Sequence, residues 1–402
     1  MNIPLFKNEK LNFTHLANKK DHPLSDDKIN LKYVKGKIRI VTEQARYPLT
    51  SIVGMLDSGD YELKPNFQRR PRWTRQKQSR LIESFIMNVP IPPIFLYEDR
   101  FSHYEVMDGI QRLTAIYEFY KNKFSLEGLE EWSELNGRTY SQLPEQIKRS
   151  IDRRYLSSLI LLHETAKDKD EAQRLKQMVF ERINSGGVKL ENQESRHAIY
   201  NGPLNELCLK LSRNPSFCRM WNIPEPAEAE LSCGVISNEL MKNATYNKMG
   251  DVELVLRFFA YRQQFGFESI QNLKDYLDNY LKSGNKHFSN EVLEQLEALF
   301  QLTIQLVYAL FEEKAFYRWQ RREDNWKWIN KPTKMIYDPM MYVFSQHIDK
   351  TDLILQNKQA FKEGLKAFYQ NHEDKLNKGS TREHCQLFEQ FVTNIIGSKH
   401  GS

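Results

Sequence analysis

Residues 103–120 read HYEVMDGIQRLTAIYEFY. The first six alternate with the period of a strand. Leu113, Ile116, Tyr117 and Tyr120 then recur with helical spacing, so a strand runs into a helix across Asp108-Gly109. A strand-to-helix junction presents the first backbone N–H groups and the positive dipole end of the helix, which together favour an anion. Gly109 lets a phosphate approach the backbone with no Cβ in the way. Gln111 and Arg112 fall on the first helical turn, where Arg112 can grip an anion with two N–H groups. Asp108 can cap the helix or hold a divalent ion that bridges phosphates. Taken alone, Asp-Gly followed by Arg is a common turn with a solvated side chain, and such short motifs arise by chance.

The stretch upstream strengthens the reading. Residues 64–80, KPNFQRRPRWTRQKQSR, carry seven Lys/Arg and no acid. Such a run repels itself unless an anion lies near. Phe67 and Trp73 interleave with Arg69, Arg70, Arg72 and Arg75, a mixture suited to phosphates and a base face. The plainer alternative is a solvated helix start with Trp73 packed beneath it. Leu81, Ile82, Phe85 and Ile86 follow with helical period. The proline-rich PIPPIFLYED (90–99) is an extended approach to a strand, because the residue before a proline avoids the helical region. Further upstream, KIRIV (37–41) reads as a strand and TSIVGMLDSGD (50–60) as a short helix ending at Gly59. Residues 1–35 look patternless.

Downstream, 121–148 reads as a polar insertion and YLSSLILLHE (155–164) as a buried strand. Helical patterns then cover 170–184, 190–200, 203–212, 251–265, 270–282, 289–316 and 356–372. At FERINSGGVKLENQESRHAIYNG (180–202) a helix stops at Asn184, Ser185, Gly186 and Gly187. The glycine pair suits backbone amides aimed at a phosphate, or a helix-to-helix turn. Glu194 and Arg196 are expected as surface or interhelix pairs of small energetic weight. WQRREDNWKW (319–328) is expected as a packed helix end with a charged face. The fold class is therefore α+β: a small mixed α/β domain followed by a mainly helical region. The divisions are a loosely ordered segment 1–35, an α/β domain 36–165, a helical domain 166–380 and a tail 381–402.

Composition narrows the class. The net charge of +6 over 402 residues is mild, so the placement of charge matters more than its sum. Cys208, Cys218, Cys233 and Cys385 form no CxxC pair, which points to reduced structural thiols of a cytoplasmic protein without a zinc site. No run is apolar enough to span a membrane, and the first residues lack an apolar signal core. The ten histidines show no HExxH or other ligand spacing, and neither GxxxxGK[ST] nor GxSxG occurs.

Three segments in order, PNFQRRPRW, LIESFIMNVPIPPIFLYE and YEVMDGIQRLTAIYEFY, resemble the ParB/sulfiredoxin-like nucleotide-binding domain of GmrSD-type restriction proteins. FERINSGGVKLENQESRHAIYNG resembles that family's next block, and 251–263 and 315–332 its helical part. The family's signature is DGQQR followed by LT, tied to NTP hydrolysis and often to recognition or cleavage of modified phage DNA. Asp108, Gly109, Gln111, Arg112 and Thr114 match it, and Gln68, Arg69 and Trp73 match a QR…W element. Ile110 departs from it, which removes a polar group where the family has Gln. The resemblance implies catalytic roles for Asp108, Gln111 and Arg112. It implies nucleotide contacts at Gly109, Thr114, Gln68, Arg69, Trp73, Asn184 and Gly187, and Mg²⁺ at Asp108. The expected nucleotide is GTP, ATP, CTP or UTP. Arg70, Arg72, Arg75 and Lys77 are the DNA-contact candidates. No HNH segment is evident, so the chain resembles a stand-alone GmrS-like subunit whose nuclease is a separate partner. Two alternatives stay open: a nucleotide-switched DNA-binding protein with little hydrolysis, and a metal-dependent DNA nickase.

Overall fold

The computed structural model describes residues 5–11, 25–34, 40–63, 73–162, 171–172, 175–176, 178–179, 182–183, 191–233, 236–264, 272–323 and 325–397. The chain divides into two units, Ala17–Lys189 and Met1–Leu16 together with Leu190–Ser402. The division falls past the expected residue 165. It also assigns the first residues to the helical unit.

The first unit holds a five-stranded mixed sheet. Its strands are β1 (Thr42–Pro48), β2 (Tyr61–Glu62), β3 (Ile94–Arg100), β4 (His103–Asp108) and β5 (Tyr155–Leu161), in the spatial order β1-β5-β3-β4-β2. β3 is central, antiparallel to β4 and parallel to β5. The sheet curls, since Tyr61 on one edge strand donates its OH to Tyr47 on the other at 3.2 Å. Helices of this unit include α1 (Asp26–Val34), α2 (Ile52–Asp57), α3 (Arg75–Ile86), α4 (Ile110–Tyr120) and α5 (Glu145–Asp152), and the described residues between 171 and 183 are helical, as expected. Leu81, Ile82, Phe85 and Ile86 of α3 and Leu113, Ile116 and Phe119 of α4 share one core with Ile94, Leu96, Val106, Leu156 and Ile160 of the sheet. Burying these aliphatic and aromatic side chains, at about 1.5–3 kcal/mol each, is the main force holding α4 against β4.

Several expectations are corrected. The strand placed at 37–41 begins at Thr42; residues 37–39 lie outside the described residues, and Ile40 and Val41 are exposed. The insertion 121–148 is not merely polar. Phe124, Leu126, Leu129, Leu135 and Leu143 enter the core, and the buried Glu83 of α3 accepts from the backbone of Glu131 at 2.9 Å and Trp132 at 3.0 Å. The expected Gly59 helix end is close: α2 stops at Asp57 and Gly59 takes a positive φ.

In the second unit the helices of eight residues or longer are α6 (Asn192–Ile199), α7 (Pro203–Leu211), α8 (Gly250–Gln264), α9 (Leu273–His287), α10 (Asn290–Phe311), α11 (Lys334–Gln346), α12 (Lys358–Asn371) and α13 (Thr381–Gly397). They enclose a single aromatic-rich core that includes Phe217, Phe259, Phe300 and Tyr337. α13 falls within the expected tail, yet it buries Leu387, Phe388, Phe391 and Val392 in that core. Residues 5–11, expected to be loose, are tied down: Glu9 is fully buried and takes two bonds from Arg262 of α8, at 2.8 and 2.9 Å. Residues 319–328 are not a helix end. They form an antiparallel hairpin of β6 (Trp319–Arg322) and β7 (Asn325–Trp328).

Of the two arrangements expected for Arg196, surface or interhelix, the structure has the interhelix one. Arg196 is 2% exposed, bonding Asp278 at 2.5 Å and Glu253 at 3.0 Å. Glu194 is also buried and accepts from the Glu191 backbone at 2.8 Å, closing a capping box at the start of α6. A buried guanidinium that loses its carboxylate partners costs several kcal/mol, so Arg196 belongs to the frame of this unit.

Candidate functional site

At the end of β4 the ladder slips: Leu96 stands opposite Val106, whereas Phe95 stands opposite Asp108, so Met107 is an extra residue. Such a bulge ends pairing and re-aims the next side chain. Gly109 follows at φ 101° and ψ 7°, and α4 begins at Ile110, with Leu113 N–H bonded to the Gly109 carbonyl at 2.9 Å. A Cβ on Gly109 would lie 2.3 Å from Ile94 Cγ2 and 2.9 Å from Ile94 Cβ. Glycine is thus required both for the left-handed backbone and for the close approach of β3. Gly109→Ala is expected to cost about 2–4 kcal/mol, from strain and overpacking together. Chemical denaturation checks this, and a cost under about 1 kcal/mol would contradict the geometry.

The guanidinium of Arg112 turns back across this junction. Its Nη2 donates to Asp108 Oδ2 at 2.6 Å, and its Nη1 donates to the carbonyls of Pro93 at 3.1 Å and Pro92. One side chain therefore joins the end of β4, the start of α4 and the proline segment entering β3. Arg112 is 12% exposed and Asp108 40%. Asp108 Oδ1 makes no hydrogen bond among the described residues, and Asp108 stands two residues before the first residue of α4, at the positive end of that helix.

Gln111 Oε1 accepts from the backbone N–H of Trp73 at 3.4 Å. The chain leaving the basic run is thus fastened to the first turn of α4. Trp73 is half-buried and packs on the core, as the plainer of its two readings supposed. Thr114 is half-buried one turn along α4. Arg75 turns onto α4, bonding Glu118 at 2.5 Å and lying over the Phe124 ring, while Lys77 is exposed. Gln68, Arg69, Arg70, Arg72, Asn184 and Gly187 lie outside the described residues.

Ile110 is 8% exposed and belongs to the core. The Ile110 side chain thus packs inward. The sequence reading also missed Pro92 and Pro93 as acceptors for Arg112. Their signal was the Pro-Pro pair, whose backbone carbonyls have no helix or ladder partner of their own. It missed as well Lys176, which donates to the buried Glu105 of β4 at 2.5 Å.

Among the described residues no group of three or more His, Cys, Asp or Glu is placed to hold a metal ion, and no helix is long and apolar enough to cross a membrane. Cys208, Cys218 and Cys385 are free thiols, and burial raises the pKa of each; that of Cys218 reaches about 12.

Residues 49–201 match a family model described as the GmrSD restriction endonuclease, N-terminal domain. The match contains the whole β4–α4 junction and runs through α6, while the resembling segments 251–263 and 315–332 lie beyond it. No curated protein and no solved structure matches the chain.

Proposed function

We propose that this chain, whose residues 49–201 match the N-terminal domain of the GmrSD restriction endonuclease, is an NTP-binding and NTP-hydrolysing, DNA-interacting component of a modification-dependent anti-phage restriction system. The observation that carries the reading is the β4–α4 junction. A glycine whose left-handed backbone and close contact with Ile94 disfavour any side chain opens a helix N-terminus, with an arginine fork and a half-exposed carboxylate on either side of it. Phosphoryl transfer needs positioned charge more than covalent chemistry, and this junction supplies charge on a rigid frame.

Arg112 is the cation that neutralises phosphate oxygens, and Gln111 orients the attacking water. Asp108 fits a divalent ion of the Mg²⁺ type, because its Oδ1 is open and such an ion needs only one or two protein carboxylates beside phosphates and water. The ion would offset charge on the phosphates. DNA cleavage is assigned to a separate HNH nuclease subunit. The test is phosphate release from GTP, ATP, CTP and UTP with Mg²⁺, with and without DNA. Release from at least one nucleotide is expected.

A second reading is favoured by one specific observation. Arg112 is engaged by Asp108, Pro92 and Pro93, so a phosphate must draw it away from internal partners. That makes a latch whose two states differ at the proline segment, as a nucleotide-switched DNA binder requires. Nucleotide binding without phosphate release would select this reading.

A further inference from the structure

The β6–β7 hairpin belongs to the helical unit. Its register pairs Trp319 with Trp328, Gln320 with Lys327, Arg321 with Trp326 and Arg322 with Asn325. Directly opposed residues share a face of a ribbon, and successive residues alternate. One face is spoken for. The Trp319 and Trp328 rings meet edge to face at 5.3 Å, Trp328 packs on Tyr369 of α12 at 6.1 Å, and Lys366 of α12 lies over the Trp319 ring at 4.8 Å. The opposite face consists of Gln320, Arg322, Asn325 and Lys327. Arg322, Asn325 and Lys327 are exposed, and Gln320 is half-buried. With its amide oxygen turned towards Arg322, Gln320 accepts from Nε at 2.6 Å and Nη2 at 2.9 Å, which confirms that the two share a face.

We propose that this face of the ribbon docks on duplex DNA, with Arg322 and Lys327 on phosphates or guanine edges and Gln320 and Asn325 within reach of adenine edges. A two-stranded ribbon fits the major groove, and Arg, Lys, Asn and Gln are the side chains that read its acceptors and donors. The face carries two cations and no acid. Residues 317–334 as a whole hold six basic side chains against two acidic ones, Glu323 and Asp324. The charge thus complements a polyanion. The two tryptophans anchored on α12 hold the ribbon rigid, which lowers the entropic cost of docking. The inference rests on the reading of the chain as DNA-interacting and names the element that makes the contact.

The test uses the full chain and a short mixed-sequence duplex, followed by fluorescence anisotropy over a range of salt. The double variant Arg322→Gln with Lys327→Gln keeps length and polarity on an outward face, and its fold is verified by thermal melting. The variant is expected to bind at least about 10-fold more weakly, and its log K against log salt slope is expected to fall by about 2. Nucleotide turnover without DNA, where present, is expected to stay unchanged. If wild type binds the duplex and the variant matches it in affinity and slope, the ribbon proposal is overturned while the DNA reading stands. If wild type binds no duplex even at low salt, both fail. Asn325→Ala probes base reading: weakening on some sequences and not others supports it, whereas a uniform loss on all of them overturns the adenine contact.

Discussion

Arg112→Ala is expected to lower NTP turnover by at least about 100-fold, the scale on which a single preorganised donor to developing charge acts. The expectation follows from position. Arg112 carries the only side-chain cation bonded to Asp108 among the described residues, and it sits on the first turn of α4. The same substitution also removes a bond from Asp108 and from two proline carbonyls, so a stability loss of about 1–3 kcal/mol accompanies it. Arg112→Lys separates the two effects. It keeps a positive charge but cannot span Asp108 and the carbonyls with one planar fork. Turnover is therefore expected to fall in the lysine variant as well, with less loss of stability. Phosphate-release kinetics and denaturation curves on the same samples check both. A folded Arg112→Ala protein with wild-type turnover would remove Arg112 from the proposed chemistry.

Glu9→Ala is expected to lower the unfolding free energy of the helical unit by about 3–5 kcal/mol, the cost of leaving a buried charge without its partner. Glu9 is fully buried and Arg262 is 2% exposed. Two parallel bonds join them, the Phe6 ring lies 4.9 Å from the guanidinium, and Gln263 donates to the Glu9 carbonyl at 2.7 Å. Little water can reach Arg262 to replace what the carboxylate supplies. Urea denaturation followed by far-ultraviolet circular dichroism measures the shift. A midpoint unchanged in the alanine variant would mean that residues 5–11 do not hold Glu9 in this pocket in solution.

These contrasts show what the sequence could carry. The β4–α4 junction was legible because a change of period, from two to about 3.6, coincides with Asp-Gly, and both signals are local. The core face of α3 was legible for the same reason. Long-range partners were not. Nothing near Glu9 in sequence indicates an arginine 253 positions away, and Arg196 in its stretch looks like any charged helix residue. The segment 121–148 was misread because its buried residues follow no period. They are fixed instead by Ser79 and Glu83 of α3 accepting its backbone amides. The β6–β7 ribbon was missed because its turn holds Glu323 at φ 56°, without the Asn-Gly or Asp-Gly that marks a tight hairpin. α13 lies within the expected tail; Phe388, Phe391 and Val392 fall on one of its helical faces, but the polar run before it hides that period.

The role of Ile110 is where the geometry most changes the chemistry. As a core residue it leaves the arginine fork and Asp108 in place, so the departure from the family signature does not itself empty the site. Ile110→Gln would bring an amide into an apolar core, a change expected to destabilise rather than to restore activity.

The most direct measurement is equilibrium titration of the purified full chain with each of the four nucleoside triphosphates in the presence of Mg²⁺, repeated on Asp108→Asn and on Arg112→Lys. The account predicts saturable binding of at least one nucleotide, weakened by at least about 10-fold when the arginine fork is replaced, since a lost charge-assisted bidentate contact is worth about 1.5–3 kcal/mol. A folded wild-type chain that binds none of the four, or binds one with unchanged affinity in both variants, would contradict the claim that the β4–α4 junction holds a triphosphate.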